Sequence, residues 1–172
     1  MTEANAKIPV VLLGGGHAHV EVVRLLGQMG LGAQITLVSP SRYAPYSGML
    51  PGHISGEYGF DDFHIDLATL CARAGGAFAE TTATAIDPER RVVSVASGQN
   101  LGYGLLSIDI GSTPILPDGI SAGISVKPIA SFADRLARLD ALAPEGRLST
   151  IAVVGQGVAG VEGAFALRRR VS

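Results

Sequence analysis

Cysteine is nearly missing from this sequence: Cys71 stands alone among 172 residues. Neither a disulfide nor a dithiol redox pair can form within the chain, which fits a reducing compartment. Charge is sparse and balanced. Thirteen basic residues face fifteen acidic ones, the net charge is −2, and charged residues make up 16%. That excludes the basic footprint of a nucleic-acid binder. No apolar run reaches the roughly 18 residues that a spanning helix needs. The apolar stretch near the N-terminus is broken by glycines, and no cleavage site follows a full hydrophobic region, so no signal peptide is read. A cytoplasmic location is expected.

What is present is apolar residue and glycine. Hydrophobic residues make up 47%, with 23 glycines. A substantial core and frequent tight turns are expected. Lys7–Gly14 is a short, continuous apolar run, the pattern of a parallel strand covered on both faces. Val22, Leu25, Leu26 and Met29 then share one helical face, with Gly30 and Gly32 as stop positions. Ala33–Pro40 reads as a second strand, completing a βαβ unit. Ser41–Phe60 has no period and reads as a long ordered loop. Asp66 is placed to cap a short helix carrying Leu67, Leu70, Cys71 and Ala74 on one face and ending at Gly75 and Gly76. "FAETTATAID" and "RVVSVASG" look like antiparallel strands around a turn. Tyr103–Pro114 is a further strand running into a Gly-Ser-Thr-Pro turn. Ser131, three residues before Asp134, begins a helix with Phe132, Leu136 and Leu139 on one side. Ser149–Leu167 then repeats the opening theme of strand, glycine turn and helix.

Two glycine loops carry the chemistry. Gly155-Gln156-Gly157-Val158-Ala159-Gly160 is a full G-x-G-x-x-G between a predicted strand and a predicted helix, where a dinucleotide fingerprint belongs. Its glycines permit the tight turn, the approach of a pyrophosphate to the backbone, and close helix–strand packing. The alternative is a structural turn. The first loop supplies Gly14, Gly15 and Gly16, but His19 occupies the third glycine's position, where a side chain should push the helix away or point sideways. Ser39 stands where an acidic ribose contact is usual. His17 and His19 raise the question of a metal, to which only the distant His53 and His64 could add ligands. The other reading is that they frame a nucleotide or fill space beside it, and no metal site is assigned.

The blocks "GGGHAHVEV", "ITLVSPSRYAPYSGMLPG", "LLSIDIGSTP" and "VVGQGVAGVE" resemble the two-dinucleotide-binding flavoproteins of the pyridine nucleotide-disulfide oxidoreductase superfamily. The similarity is to the NADH-dehydrogenase-like branch, including modules associated with selenide water dikinase. The resemblance implies an α/β fold: a Rossmann-like parallel sheet with an antiparallel β-meander, an FAD/NAD(P)-binding fold incomplete at its C-terminus. It implies residues 1–146 as the N-terminal part of an FAD-binding domain and 147–172 as the first strand and helix of a truncated NAD(P)H-binding domain. By the same resemblance Gly14, Gly15, Gly16, His17 and Ala18 would surround the FAD pyrophosphate. Ser39, Pro40 and Arg42 would lie near the adenosine ribose. Ser47, Gly48, Met49, Leu50 and Pro51 would approach the flavin, and Gly111, Ser112, Thr113 and Pro114 would pass near the FAD. Gly155, Gly157, Gly160 and Glu162 would hold NAD(P)H.

The implied activity is that of an FAD-dependent NAD(P)H oxidoreductase, passing a hydride from nicotinamide to flavin and on to an acceptor such as a quinone. The cofactors supply the chemistry, so no catalytic side chain is assigned. A quinone acceptor would suit a site peripheral to the inner face of the membrane. The missing C-terminal half, another chain or a second copy would complete the molecule, and Phe165 and Leu167 should be partly exposed without it. A non-catalytic nucleotide-binding fragment or split subunit and a dehydrogenase with a single cofactor are the competing readings. The lone Cys71, on a helix with an apolar face, has buried packing as its default role.

Overall fold

The computed structural model describes residues 8–113, 119, 123–142 and 150–171. Contacts divide the chain into two compact units. One holds residues up to Ala44 together with Ile65–Gly111. The other holds Pro45–His64 and the residues from Ser112 on. Most of the stretch read as a loop, from Pro45 on, groups with the later helices.

In the first unit, β1 (Val10–Leu13) leads through Gly14–Gly16 into α1 (His17–Gln28). A 3-10 turn at Gly32–Gln34 precedes β2 (Ile35–Ser39). The segment continues as β3 (Tyr43–Pro45), then enters the second unit as α2 (Leu50–Ile54) and α3 (Phe60–Phe63). It returns through β4 (His64–Asp66) to α4 (Leu67–Ala74), β5 (Ala77–Glu80), β6 (Ala83–Asp87), β7 (Val92–Val95), β8 (Asn100–Gly102) and β9 (Leu105–Ile108).

The main sheet has the order β5-β2-β1-β9. Each neighbouring pair is parallel, with Leu12 opposite Leu37 on one side and Ser107 on the other. Parallel strands need cover on both faces, and alternate side chains supply it. Leu12, Ile35 and Leu37 pack with Val23 of α1 and with Leu67 and Cys71 of α4. Val11, Leu13 and Val38 face the other way onto Val93 and Val95 of β7. That second cover is the antiparallel meander β6-β7-β8.

Several local expectations are corrected. "AFAE" of the predicted hairpin is β5 and joins the parallel sheet, because its apolar Phe78 lies opposite Leu37. On α1 the fully buried residues are His19 and Val23. Leu25 and Met29 of the predicted face are exposed, since the helix rolls its histidine face onto the sheet. Asp66 caps α4 as expected, accepting the Thr69 N–H at 3.0 Å, and Gly75 ends the helix at φ +77°.

The second unit is helical among the described residues. α5 (Phe132–Leu142) and α6 (Val158–Arg170) share a core made of Leu50, Ile54, Phe63, Phe132, Leu136 and Ala166. The Arg170 guanidinium donates to the Ile54 carbonyl at 2.9 Å and from Nε to Asp140 at 2.6 Å, tying the end of α6 to α2 and α5. The Ser131 hydroxyl donates to the Pro128 carbonyl and accepts from Arg135.

Truncating Leu37 to Ala should cost about 2–5 kcal/mol by the loss of buried methyl groups and the cavity left behind, readable in denaturant unfolding. Burial pushes the Cys71 thiol up to about 11. A thiol-specific chromogenic reagent at about pH 8 should therefore leave Cys71 unmodified in the folded protein and label it only after denaturation.

Candidate functional site

The strand order fixes where a ligand site can form. From β1 the chain runs outward to β2 and β5, then crosses to the opposite side of β1 to lay down β9. The carboxyl ends of β1 and β9 therefore flank a topological switch point, where open parallel sheets bind ligands. The loop Gly14–Gly16 lies there, between the last residue of β1 and the first of α1.

Each glycine of this loop lies close to a neighbour, against backbone at Gly14 and against side chains at Gly15 and Gly16. Gly14 has φ +96°, and a Cβ on it would collide with the Asp109 backbone. A Cβ on Gly15 would strike Leu67, and one on Gly16 would enter the Asp109 carboxylate. The backbone here is thus held close to its surroundings by the absence of side chains. The Gly14 N–H donates to the Val38 carbonyl at 2.8 Å, and the Asp109 N–H donates to the Leu13 carbonyl at 2.8 Å. Gly16 is the N-cap of α1 and has no side chain to offer. The Ala18 N–H donates to Asp109 Oδ2 at 3.2 Å.

His19, at the third glycine's position, neither displaces the helix nor points to solvent. It is 1% exposed. Its Nδ1 donates to the Gly14 carbonyl at 2.8 Å, and its Nε2 lies 2.9 Å from Ser107 Oγ. A carbonyl can only accept, so Nδ1 carries a proton, and in the neutral ring Nε2 accepts from the Ser107 hydroxyl. The imidazole thus joins the loop, α1 and β9. With both nitrogens engaged it offers none to a metal. Sequence reasoning missed this because Ser107 is far away in the chain and only the parallel register brings it under α1.

At the neighbouring strand end, Ser39 is buried, and its hydroxyl accepts weakly from Ser41 N–H at 3.5 Å. Pro40 is exposed. Arg42 is committed to Asp66, with Nε to Oδ1 at 3.0 Å and Nη2 to Oδ2 at 2.7 Å. The Arg42 guanidinium, followed by the Thr69 amide, holds the Asp66 carboxyl well below the usual carboxylate range. Ser39 is paired in register with Glu80 at the end of β5. The acid absent from the second strand is therefore present one strand over, a placement no sequence spacing reveals. Gly111 closes this unit at φ +75°.

The remaining candidates lie in the second unit. Ser47, Gly48 and Met49 form a 3-10 turn, and Leu50 and Pro51 begin α2. Leu50 is buried and Met49 packs on the same core, so both serve packing. Ser112 accepts from Lys127 Nζ at 3.2 Å, and Thr113 is exposed. Pro114 lies outside the described residues. At the second glycine loop Gly155 has φ +128°, and a Cβ on Gly160 would collide with the Gly155 carbonyl. Gly157 is the N-cap of α6, without a side-chain cap, and Glu162 is exposed. The strand expected before this loop is missing: residues 150–156 carry no strand. A strand exists only as a member of a ladder, and among the described residues nothing pairs with it. Val154 and Val158 are accordingly exposed, and Phe165 is 69% exposed.

His19→Gly restores the regular glycine motif yet should destabilise the fold by about 2–4 kcal/mol. It leaves a cavity and strips partners from the Gly14 carbonyl and the Ser107 hydroxyl. Thermal or denaturant unfolding of the variant checks this.

The family described as pyridine nucleotide-disulphide oxidoreductase matches residues 8–172. Over 102 residues the chain is 29% identical to the sulfide-quinone reductase of Aquifex aeolicus (strain VF5), which covers 59% of this chain and 24% of that protein. Over 164 residues it is 28% identical to the probable ferredoxin reductase CtmF of Castellaniella defragrans (strain DSM 12143 / CCUG 39792 / 65Phen), covering 92% and 39%. The solved structure of an NAD-dependent persulfide reductase from A. fulgidus superposes with a TM-score of 0.76 at 25% identity, over 94% of this chain and 32% of that one. The chain thus spans 24% to 39% of the length of these curated relatives. Its parallel sheet, meander and paired glycine loops are the family's Rossmann-like architecture, and the chain belongs to the pyridine nucleotide-disulphide oxidoreductase family.

Proposed function

We propose that this chain is the nucleotide-binding portion of an FAD-dependent NAD(P)H oxidoreductase that delivers electrons to a quinone. The observation that carries the reading is the loop Gly14–Gly16 at the switch point, where Gly14 at φ +96° lies against the Asp109 backbone and Gly15 and Gly16 lie against the Leu67 and Asp109 side chains. Backbone stripped of side chains at a helix start is the setting in which a diphosphate can reach main-chain N–H groups. Gly14, Gly15, Gly16, His17 and Ala18 would hold the FAD diphosphate, with Ser39 and Glu80 beside the adenosine ribose. Glu80 would supply the carboxylate acceptor that Ser39 lacks. His19 holds the loop in place without touching the ligand. Gly155, Gly157 and Gly160, at the start of α6, would cradle the NAD(P)H diphosphate in the same way. FAD, when bound, accepts a hydride from the nicotinamide and passes the electrons on.

Two observations support a quinone as the acceptor. A curated relative is named a sulfide-quinone reductase. Within this chain the one thiol, Cys71, is buried in a helix–sheet core and free, so it offers no exposed thiolate to relay electrons. A quinone takes electrons from a flavin without a protein thiol. It would be met at a membrane surface, and among the described residues no helix is long and apolar enough to cross one.

The protein purified or refolded with FAD should be yellow and retain flavin through gel filtration. Gly14→Ala should weaken FAD binding at least tenfold, because alanine at that positive φ is strained and its Cβ meets the Asp109 backbone. A chain that retains no flavin under any refolding condition overturns the proposal.

A further inference from the structure

Asp109 follows β9, and its carboxylate lies over the first turn of α1. Two observations place it there: the hydrogen bond from Ala18 N–H at 3.2 Å, and the occupation by the same carboxylate of the space a Cβ on Gly16 would need. Its backbone cannot move away. The Asp109 N–H is bound to the Leu13 carbonyl, Ile108 is in register with Leu13, and the Asp109 carbonyl fills the space beside Gly14. The side chain is partly exposed and can turn about its own Cα–Cβ bond. A full negative charge therefore sits where a helix N-terminus and bare glycine backbone draw an anion.

Resting on the dinucleotide reading above, we infer that Asp109 is a built-in competitor for the diphosphate. Its carboxylate and a phosphate cannot share the Ala18 N–H, and two anions at one N–H group repel. Asp109 satisfies an N–H of the first turn of α1. Binding requires the side chain to swing out, so Asp109 sets how tightly the diphosphate is held and makes the cost of emptying the site small.

The test compares wild type with Asp109→Asn, which keeps the shape and removes the charge. Binding of ADP and of adenosine is followed by isothermal titration calorimetry, and unfolding of the ligand-free proteins by thermal melting. Asp109→Asn should bind ADP about tenfold more tightly, bind adenosine unchanged, and melt at a lower temperature when empty because the charged cap is gone. Equal or weaker ADP binding by the variant overturns the inference and leaves the dinucleotide reading standing. If neither protein binds ADP, adenosine or FAD, the dinucleotide reading falls and the inference with it.

Discussion

The close approach of two strand ends governs this structure. At Gly14 the chain leaves β1 with its backbone against that of Asp109, at the end of β9, and only a residue without Cβ fits between them. This contact lets β9 register against β1 beyond the last ladder pair, through the Asp109 N–H and the Leu13 carbonyl. It also sets the direction in which α1 starts. The start of α1 at the switch point and the position of Asp109 both follow from it.

The departure from the regular glycine motif is absorbed at the same place. A glycine at the third position normally lets helix and strand pack closely. Here His19 takes the position and replaces closeness with two hydrogen bonds, one to the loop it follows and one to β9. A buried imidazole is costly unless both nitrogens are satisfied, and both are. The helix is then oriented by polar contacts of defined direction as well as by packing, which makes the first turn of α1 more rigidly placed than apolar contact alone would make it. Next to this clamp stands the Asp109 carboxylate, which accepts the Ala18 N–H.

The second unit is organised differently. Its core is a small helix cluster fastened by the Arg170 ion pair and the hydrogen bond from Arg170 to the end of α2. The glycine loop before α6 has the turn geometry of a nucleotide motif, with Gly155 at positive φ and Gly160 against its carbonyl, although among the described residues no ladder holds the segment before it. The helix start is encoded locally by its glycines. A parallel strand depends on neighbours to satisfy its N–H and C=O groups, so the same local sequence yields a helix and leaves 150–156 without regular pairing.

Periodicity and punctuation in the sequence determined the βαβ opening, the α4 cap at Asp66, the buried side of α5 and the two glycine loops, because each depends on residues within a few positions of one another. The assignment of "AFAE" to the parallel sheet was decided only by the tertiary structure, which offered Phe78 a partner in Leu37. The same holds for the rolling of α1 onto His19, for the placement of Glu80 beside Ser39, and for the carboxylate of Asp109 over Ala18. The physical reason is common to all four. Strand register and helix roll bring together groups tens of residues apart, and local sequence carries no information about which distant group will arrive.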